Sequence, residues 1–154
     1  FIAQNFGAGQ MKRIRDGIRV AVVSATIFCV FISLLVFGFA RPLMLIFVPV
    51  HETEIISIGV QYLRIEGAFY CGIGCLFLLY GFYRGIRKPG MSVVLTVISL
   101  GTRVALAYAL SAIPAIGVVG IWWSIPIGWL LADIVGLWYY RRLFSRVTRS
   151  SIGK

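Results

Sequence analysis

A run of 21 residues from Val20 to Ala40, VAVVSATIFCVFISLLVFGFA, carries no formal charge. At about 1.5 Å of rise per residue a helix of that length is a rod of about 31 Å, which matches the hydrocarbon thickness of a bilayer. Lipid offers no partner to backbone N–H and C=O groups, so a lone apolar segment must satisfy them itself as a helix. The run therefore predicts a transmembrane helix, and the remaining chain is placed by counting outward from it.

Composition agrees. The 154 residues are 60% hydrophobic and 13% charged, with mean hydropathy +0.94, and soluble domains carry roughly twice that charged share. A net charge of +10 would point to nucleic acid in a soluble chain. Here the Lys and Arg residues stand in clusters between apolar spans, where anionic headgroups supply the counter-charge, so nucleic acid is not an expected partner. Cys29, Cys71 and Cys75 all lie inside apolar spans, and an odd count there argues against a disulfide framework. Cys71 and Cys75 share a helix face, but His51 is the only histidine, so small packing residues are the better reading than a metal site. Gly7 and Gly9 follow no strand and lack the spacing of a dinucleotide loop. Nothing pairs a nucleophile with a base or cradles a phosphate. The chain reads as non-enzymatic, with no bound cofactor.

The opening FIAQNFGAGQ reads as the end of a preceding helix, stopped by Gly7, Ala8 and Gly9. Lys12, Arg13, Arg15 and Arg19 then crowd a basic loop, so residues 1–16 form a lead-in. It has neither a start Met nor a signal-peptide n-region, and the chain is expected to be the C-terminal piece of a longer membrane protein. Four spans follow, at about 17–40, 55–83, 89–113 and 118–140, and a basic tail at 141–154 holds Arg141, Arg142, Arg146, Arg149 and Lys154. Arg41-Pro42 is expected to stop the first span, with Pro42 to His51 lying at the interface. Glu52 and Glu54 suit the start of the second, and Pro89 suits the first turn of the third. Pro114 and Gly117 predict a tight hairpin. The basic residues concentrate on alternate loops, which by the positive-inside rule places both ends in the cytoplasm. The fold class is all-α, a polytopic membrane protein of the cell membrane.

Small residues recur along three spans: Gly17, Ala21, Ala25, Cys29 and Ser33 in the first; Gly67, Gly74 and Gly81 in the second; Gly120, Ser124, Gly128, Ala132 and Gly136 in the fourth. Lipid tails are as apolar as leucine, so close backbone approach through such residues drives helix packing. The third span carries a polar stripe, Ser92, Thr96, Ser99 and Arg103, that should face protein or water. Pro126 should bend the fourth helix and free the carbonyl near Trp122.

Three ionisable residues sit inside or beside the spans: Glu66 in the second, Arg103 midway along the third and Asp133 in the fourth. An intramembrane charge costs at least roughly 2.5 kcal/mol, so each is a candidate for an ion or substrate pathway. The structural alternative is that Arg103 pairs with Asp133 and locks two helices. Tyr70, one turn from Glu66, could join Phe69 in an aromatic surface for a flat cation.

The segment AQNFGAGQMKRIRDGIRVAV, the loop GFYRGIRKPG with the following ISLGTRVALAYAL, and GVVGIWWSIPIGWLLAD resemble, in order, segments of the multidrug and toxic compound extrusion (MATE) transporters. The resemblance covers nearly the whole chain. It implies a twelve-helix antiporter of two lobes, of which this chain is the last four helices, packed in the intact protein against an N-terminal lobe. Sodium ions or protons would then drive export of cationic, often aromatic, small molecules by alternating access. Some branches of the family carry an acidic residue in the helix before the Arg-Gly loop; its place here is Ile73, with Glu66 two turns further out. The loop also has Arg87, Lys88 and Pro89 where a Gly and a Thr are usual. Two alternatives remain at this stage: a lipid-linked sugar flippase of the same superfamily, and a four-helix membrane scaffold subunit that transports nothing.

Overall fold

A computed structural model describes residues 1–152, with side chains described through Phe144; Arg146, Arg149 and Lys154 of the expected tail lie outside the described side chains. Among the described residues there are seven helices and no strand: α1 (Ile2–Gly7), α2 (Met11–Gly38), α3 (Ala40–Leu45), α4 (Thr53–Ala68), α5 (Tyr70–Gly85), α6 (Pro89–Ser111) and α7 (Val118–Ile152). Of these, α2, α6 and the Val118–Phe144 part of α7 are long and apolar enough to cross a bilayer singly. Helices α4 and α5 qualify only as a pair, bent by 49° at their junction. The chain is a polytopic all-helical membrane protein, with four crossings when the bent pair is one span.

Several boundaries differ from those the sequence suggests. The basic stretch from Lys12 to Arg19 is the start of α2 and not a loop. Lys and Arg are good helix formers, and after the turn at Gly9, whose φ is +69°, no breaker follows. At its other end α2 stops at Gly38, and Pro42 lies in the first turn of α3. A proline is tolerated there because the first backbone donors of a helix have no internal partner anyway. The break therefore falls at Phe39, ahead of the proline. Helix α7 continues past Tyr140 to Ile152 and keeps Pro126 inside one unbroken element.

The second span departs most. In place of one helix over 55–83, the chain breaks at Phe69, whose φ of −112° and ψ of 14° leave the helical region. The N–H of Phe69 is satisfied by the Glu66 carbonyl and that of Gly72 by the Phe69 carbonyl. Backbone leaving a helix at membrane depth is tolerated only where protein shields it, and here Glu66 and Gly67 are both buried. A Cβ on Gly67 would stand 3.0 Å from Val36 Cγ1 of α2.

Helices α6 and α7 form the most extensive pair, and α5 lies between α7 and α2. The core gathers Ile14 of α2, Leu76, Leu79, Phe82 and Tyr83 of α5, Leu95 of α6, and Trp129 and Ala132 of α7. All five members of the small stripe on α7, from Gly120 to Gly136, are buried. At Gly128 a Cβ would come within 2.6 Å of the Ser99 carbonyl oxygen, and at Gly120 within 2.6 Å of Leu110 Cβ, so α6 and α7 touch backbone to backbone. Gly136 fits against Leu79 and Leu95, and Gly74 against Cys29 Sγ of α2. Buried Ser124 turns its hydroxyl to the Ile121 carbonyl at 2.6 Å. Gly81 is different: it is exposed, and nothing lies within 4 Å of where its Cβ would be. The seven-residue interval of Gly67, Gly74 and Gly81 presumes one straight helix, and the bend at Phe69 removes that premise.

Candidate functional site

The polar groups inside the bundle fall into two places, one on each side of the α4–α5 break. The first group, on the α4 side, centres on Glu66, buried at 5% exposure three residues before Phe69. Tyr62, one turn before Glu66 on the same helix, shares its face, whereas the break at Phe69 separates Tyr70 from that helix. Arg103 of α6 is close enough for its charge to reach both Glu66 and Tyr62. Helix α7 closes this region with two edge-to-face aromatic contacts, Tyr62 to Trp122 at 5.9 Å and Phe69 to Trp123 at 5.4 Å between ring centroids.

The second group, on the α5 side, centres on Asp133 of α7, 7% exposed, with the Cys75 thiol of α5 beside its carboxyl. Gly72 lets α7 come close at this level: a Cβ there would stand 3.6 Å from Trp129 Cβ and 4.0 Å from Asp133 Oδ2.

Both groups contain polar atoms that the fold leaves unmatched. Glu66 Oε1, Arg103 Nε and Asp133 Oδ1 are buried and meet no hydrogen-bond partner among the described residues. A buried polar atom without a partner costs free energy, and a buried charge more. The pairing of Arg103 with Asp133 is not formed: among the described residues the contact of this kind is His51 Nε2 to Glu52 Oε1, at 3.6 Å. Arg103 packs at the level of Gly128 of α7, where a Cβ would stand 3.7 Å from Arg103 Cβ, and Asp133 lies five residues further along α7. Of the polar stripe of α6, Ser92 and Thr96 face α5, and Ser99 and Arg103 pack against Gly128 of α7. The Ser92 hydroxyl donates to the Tyr80 carbonyl at 3.4 Å, and Thr96 Oγ1 lies 3.2 Å from the Tyr80 hydroxyl and donates to the Ser92 carbonyl at 3.0 Å.

Tyr70 and Phe69 do not make one aromatic surface. Phe69 turns to Trp123, whereas Tyr70 lines an apolar groove of about 500 Å3 between α2 and α5, together with Phe28, Ile32 and Phe77. A second groove, about 470 Å3 between α6 and α7, has Arg103, Tyr108, Ser111 and Ser124 among its lining residues. Tyr62 and Cys75 escape a reading that counts charges alone. Tyr62 could have been found from its four-residue offset to Glu66, but Cys75 has no such signal, since only the packing of α5 on α7 brings it to Asp133.

A protein-family model described as MatE matches residues 1–109, which takes in α1 to α5 and most of α6. No curated protein and no solved structure matches the chain.

Proposed function

This chain belongs to the MatE family of membrane transporters, and from that premise we propose that it forms part of a secondary active efflux transporter that exports cationic or aromatic compounds in exchange for sodium ions or protons. In this reading Glu66 takes up and releases the coupling ion, and Arg103 competes for its carboxylate when the ion leaves. Asp133 offers a second carboxyl at a different depth. The aromatic groove holding Tyr70 suits a flat cation through the ring face. Two lobes, of which this chain would supply the larger part of one, rock about the site in alternating access, with both ends of this piece in the cytoplasm.

The observation that carries the reading is the position of Glu66, a buried carboxyl with an unmatched oxygen beside a 49° break in a membrane span. Transporters commonly build ion and substrate sites at discontinuous helices, where unwound backbone and side chains turn inward together. The test is transport by the intact protein carrying Glu66→Gln or Asp133→Asn. Glu66→Gln should abolish or shift the dependence on the driving ion while the protein still inserts. Unchanged ion dependence in both variants would remove this region from coupling.

A further inference from the structure

At the end of the bundle away from the Arg84–Lys88 loop, two arginines on different helices converge on one polar hollow. Arg41 of α3 and Arg64 of α4 line a pocket of about 270 Å3 with Thr53, Ser57, Ile56 and Val60. Thr53, Ser57, Val60 and Arg64 stand at intervals of four, three and four, so α4 presents a single face to it. The approach of α3 is fixed by Met44, whose side chain fills the space beside Gly59. Arg64 is further held by its guanidinium over the Phe37 ring of α2, 5.3 Å from the centroid.

Neither arginine has a carboxylate in ion-pair contact among the described residues, although acids are near in sequence. Glu52 pairs instead with His51. Glu54 follows Thr53 by one residue and is thus about 100° round the helix from the Thr53–Ser57 face. Two guanidinium groups without a carboxylate in contact and two hydroxyls in one concavity make a donor-rich set. Guanidinium groups match the oxygens of phosphate in geometry and charge.

We propose that the α3–α4 pocket binds a phosphate-bearing anion through Arg41, Arg64, Thr53 and Ser57. An anionic lipid headgroup and free phosphate share this chemistry. The pocket is independent of the coupling site around Glu66, so the two ideas fail separately.

The intact transporter, delipidated in a neutral detergent, is titrated with short-chain phosphatidylglycerol and, separately, with inorganic phosphate. Short-chain phosphatidylcholine serves to subtract non-specific association. Native mass spectrometry and the thermal transition report binding. Phosphatidylglycerol should bind the wild type, and Arg41→Gln/Arg64→Gln should weaken that binding about tenfold or more, the loss expected when charge-assisted hydrogen bonds are removed. If inorganic phosphate alone shows the same arginine dependence, the anion site stands and its ligand is a free phosphate. If neither probe binds in a way that depends on the two arginines, the proposal is overturned. Should the double variant fail to fold, Thr53→Val/Ser57→Ala keeps both charges; it should weaken binding several-fold, and unaltered affinity overturns the proposal equally.

Discussion

The Tyr83 hydroxyl donates to the Gly136 carbonyl at 2.5 Å, joining α5 to α7 within the core. Tyr83 is wholly buried, and its ring also packs on Phe82 and Tyr139, with centroids 5.2 and 5.7 Å away. Gly136 permits the approach, since a Cβ there would stand 2.6 Å from Leu79 Cδ1. Tyr83→Phe keeps the ring and removes the hydrogen bond alone. Hydrogen bonds between membrane helices are worth about 0.6 kcal/mol on average, and soluble ones about 1 kcal/mol. The variant should lose about that much, read as an earlier unfolding transition when dodecyl sulfate is titrated into mixed micelles. A transition that does not move would show that the contact contributes nothing net.

Gly128 and Gly81 give opposite expectations for the same substitution. An alanine methyl at Gly128 meets the Ser99 carbonyl oxygen, which is main chain and cannot swing aside. Helices α6 and α7 must then separate, and overpacking of this kind costs about 1–3 kcal/mol. At Gly81 the methyl meets nothing, and alanine in a helix is favoured over glycine by about 1 kcal/mol in peptide hosts. Gly128→Ala should lower the unfolding transition, and Gly81→Ala should leave it unchanged or raise it. The same two variants in one assay separate helix contact from helix propensity.

Arg87 occupies a backbone conformation that favours glycine, with φ of +59°. It ends α5 in a Schellman arrangement: the Lys88 N–H bonds the Tyr83 carbonyl at 2.8 Å and the Arg87 N–H bonds the Arg84 carbonyl at 3.2 Å. The MATE loop that this segment resembles usually has a Gly and a Thr within the stretch held here by Arg87, Lys88 and Pro89, and a glycine suits this conformation. Arg87→Gly should stabilise the bundle by up to about 1 kcal/mol, the order of the left-handed penalty for a residue with a Cβ. Arg87→Ala is the control, because it removes the charge and keeps the strain. If alanine raises stability as much as glycine, the charge matters and the backbone does not.

Which features were legible in the sequence follows from what lipid enforces. Lipid demands uninterrupted apolar length, so the spans of α2, α6 and α7 could be counted off, and Glu66, Arg103 and Asp133 stood out against them. The stripe from Gly120 to Gly136 was legible because α7 stays one helix and a four-residue interval holds along it. The break at Phe69 was not legible. Ile65 to Gly74 contains no proline, and its glycines equally suit close packing in a straight helix. The contacts of Phe69 with Trp123 and Gly67 with Val36 accompany the bend, and both are long-range. That Arg103 and Asp133 form no ion pair among the described residues was illegible for the same reason. Residue counting gives depths for Arg103 and Asp133 but not the packing of α5 on α7 that puts Cys75 beside Asp133.

The relation of Arg103 to Glu66 and to Asp133 can be measured directly. Arg103 lies within electrostatic range of Glu66, and each has a buried atom with no hydrogen-bond partner among the described residues. Groups that share an environment give interaction energies of about 0.5–3 kcal/mol in a double-mutant cycle, whereas distant ones add within about 0.5 kcal/mol. Glu66→Gln combined with Arg103→Gln should therefore cost less than the sum of the single variants, because each single change leaves the other group without its counter-charge. Asp133→Asn combined with Arg103→Gln should be additive, since Asp133 faces Cys75 and not the arginine. Stability in mixed micelles supplies both cycles without any transport assay. Coupling between Arg103 and Asp133, with additivity between Arg103 and Glu66, would restore the pairing that residue counting suggests and contradict the arrangement described for α4, α6 and α7.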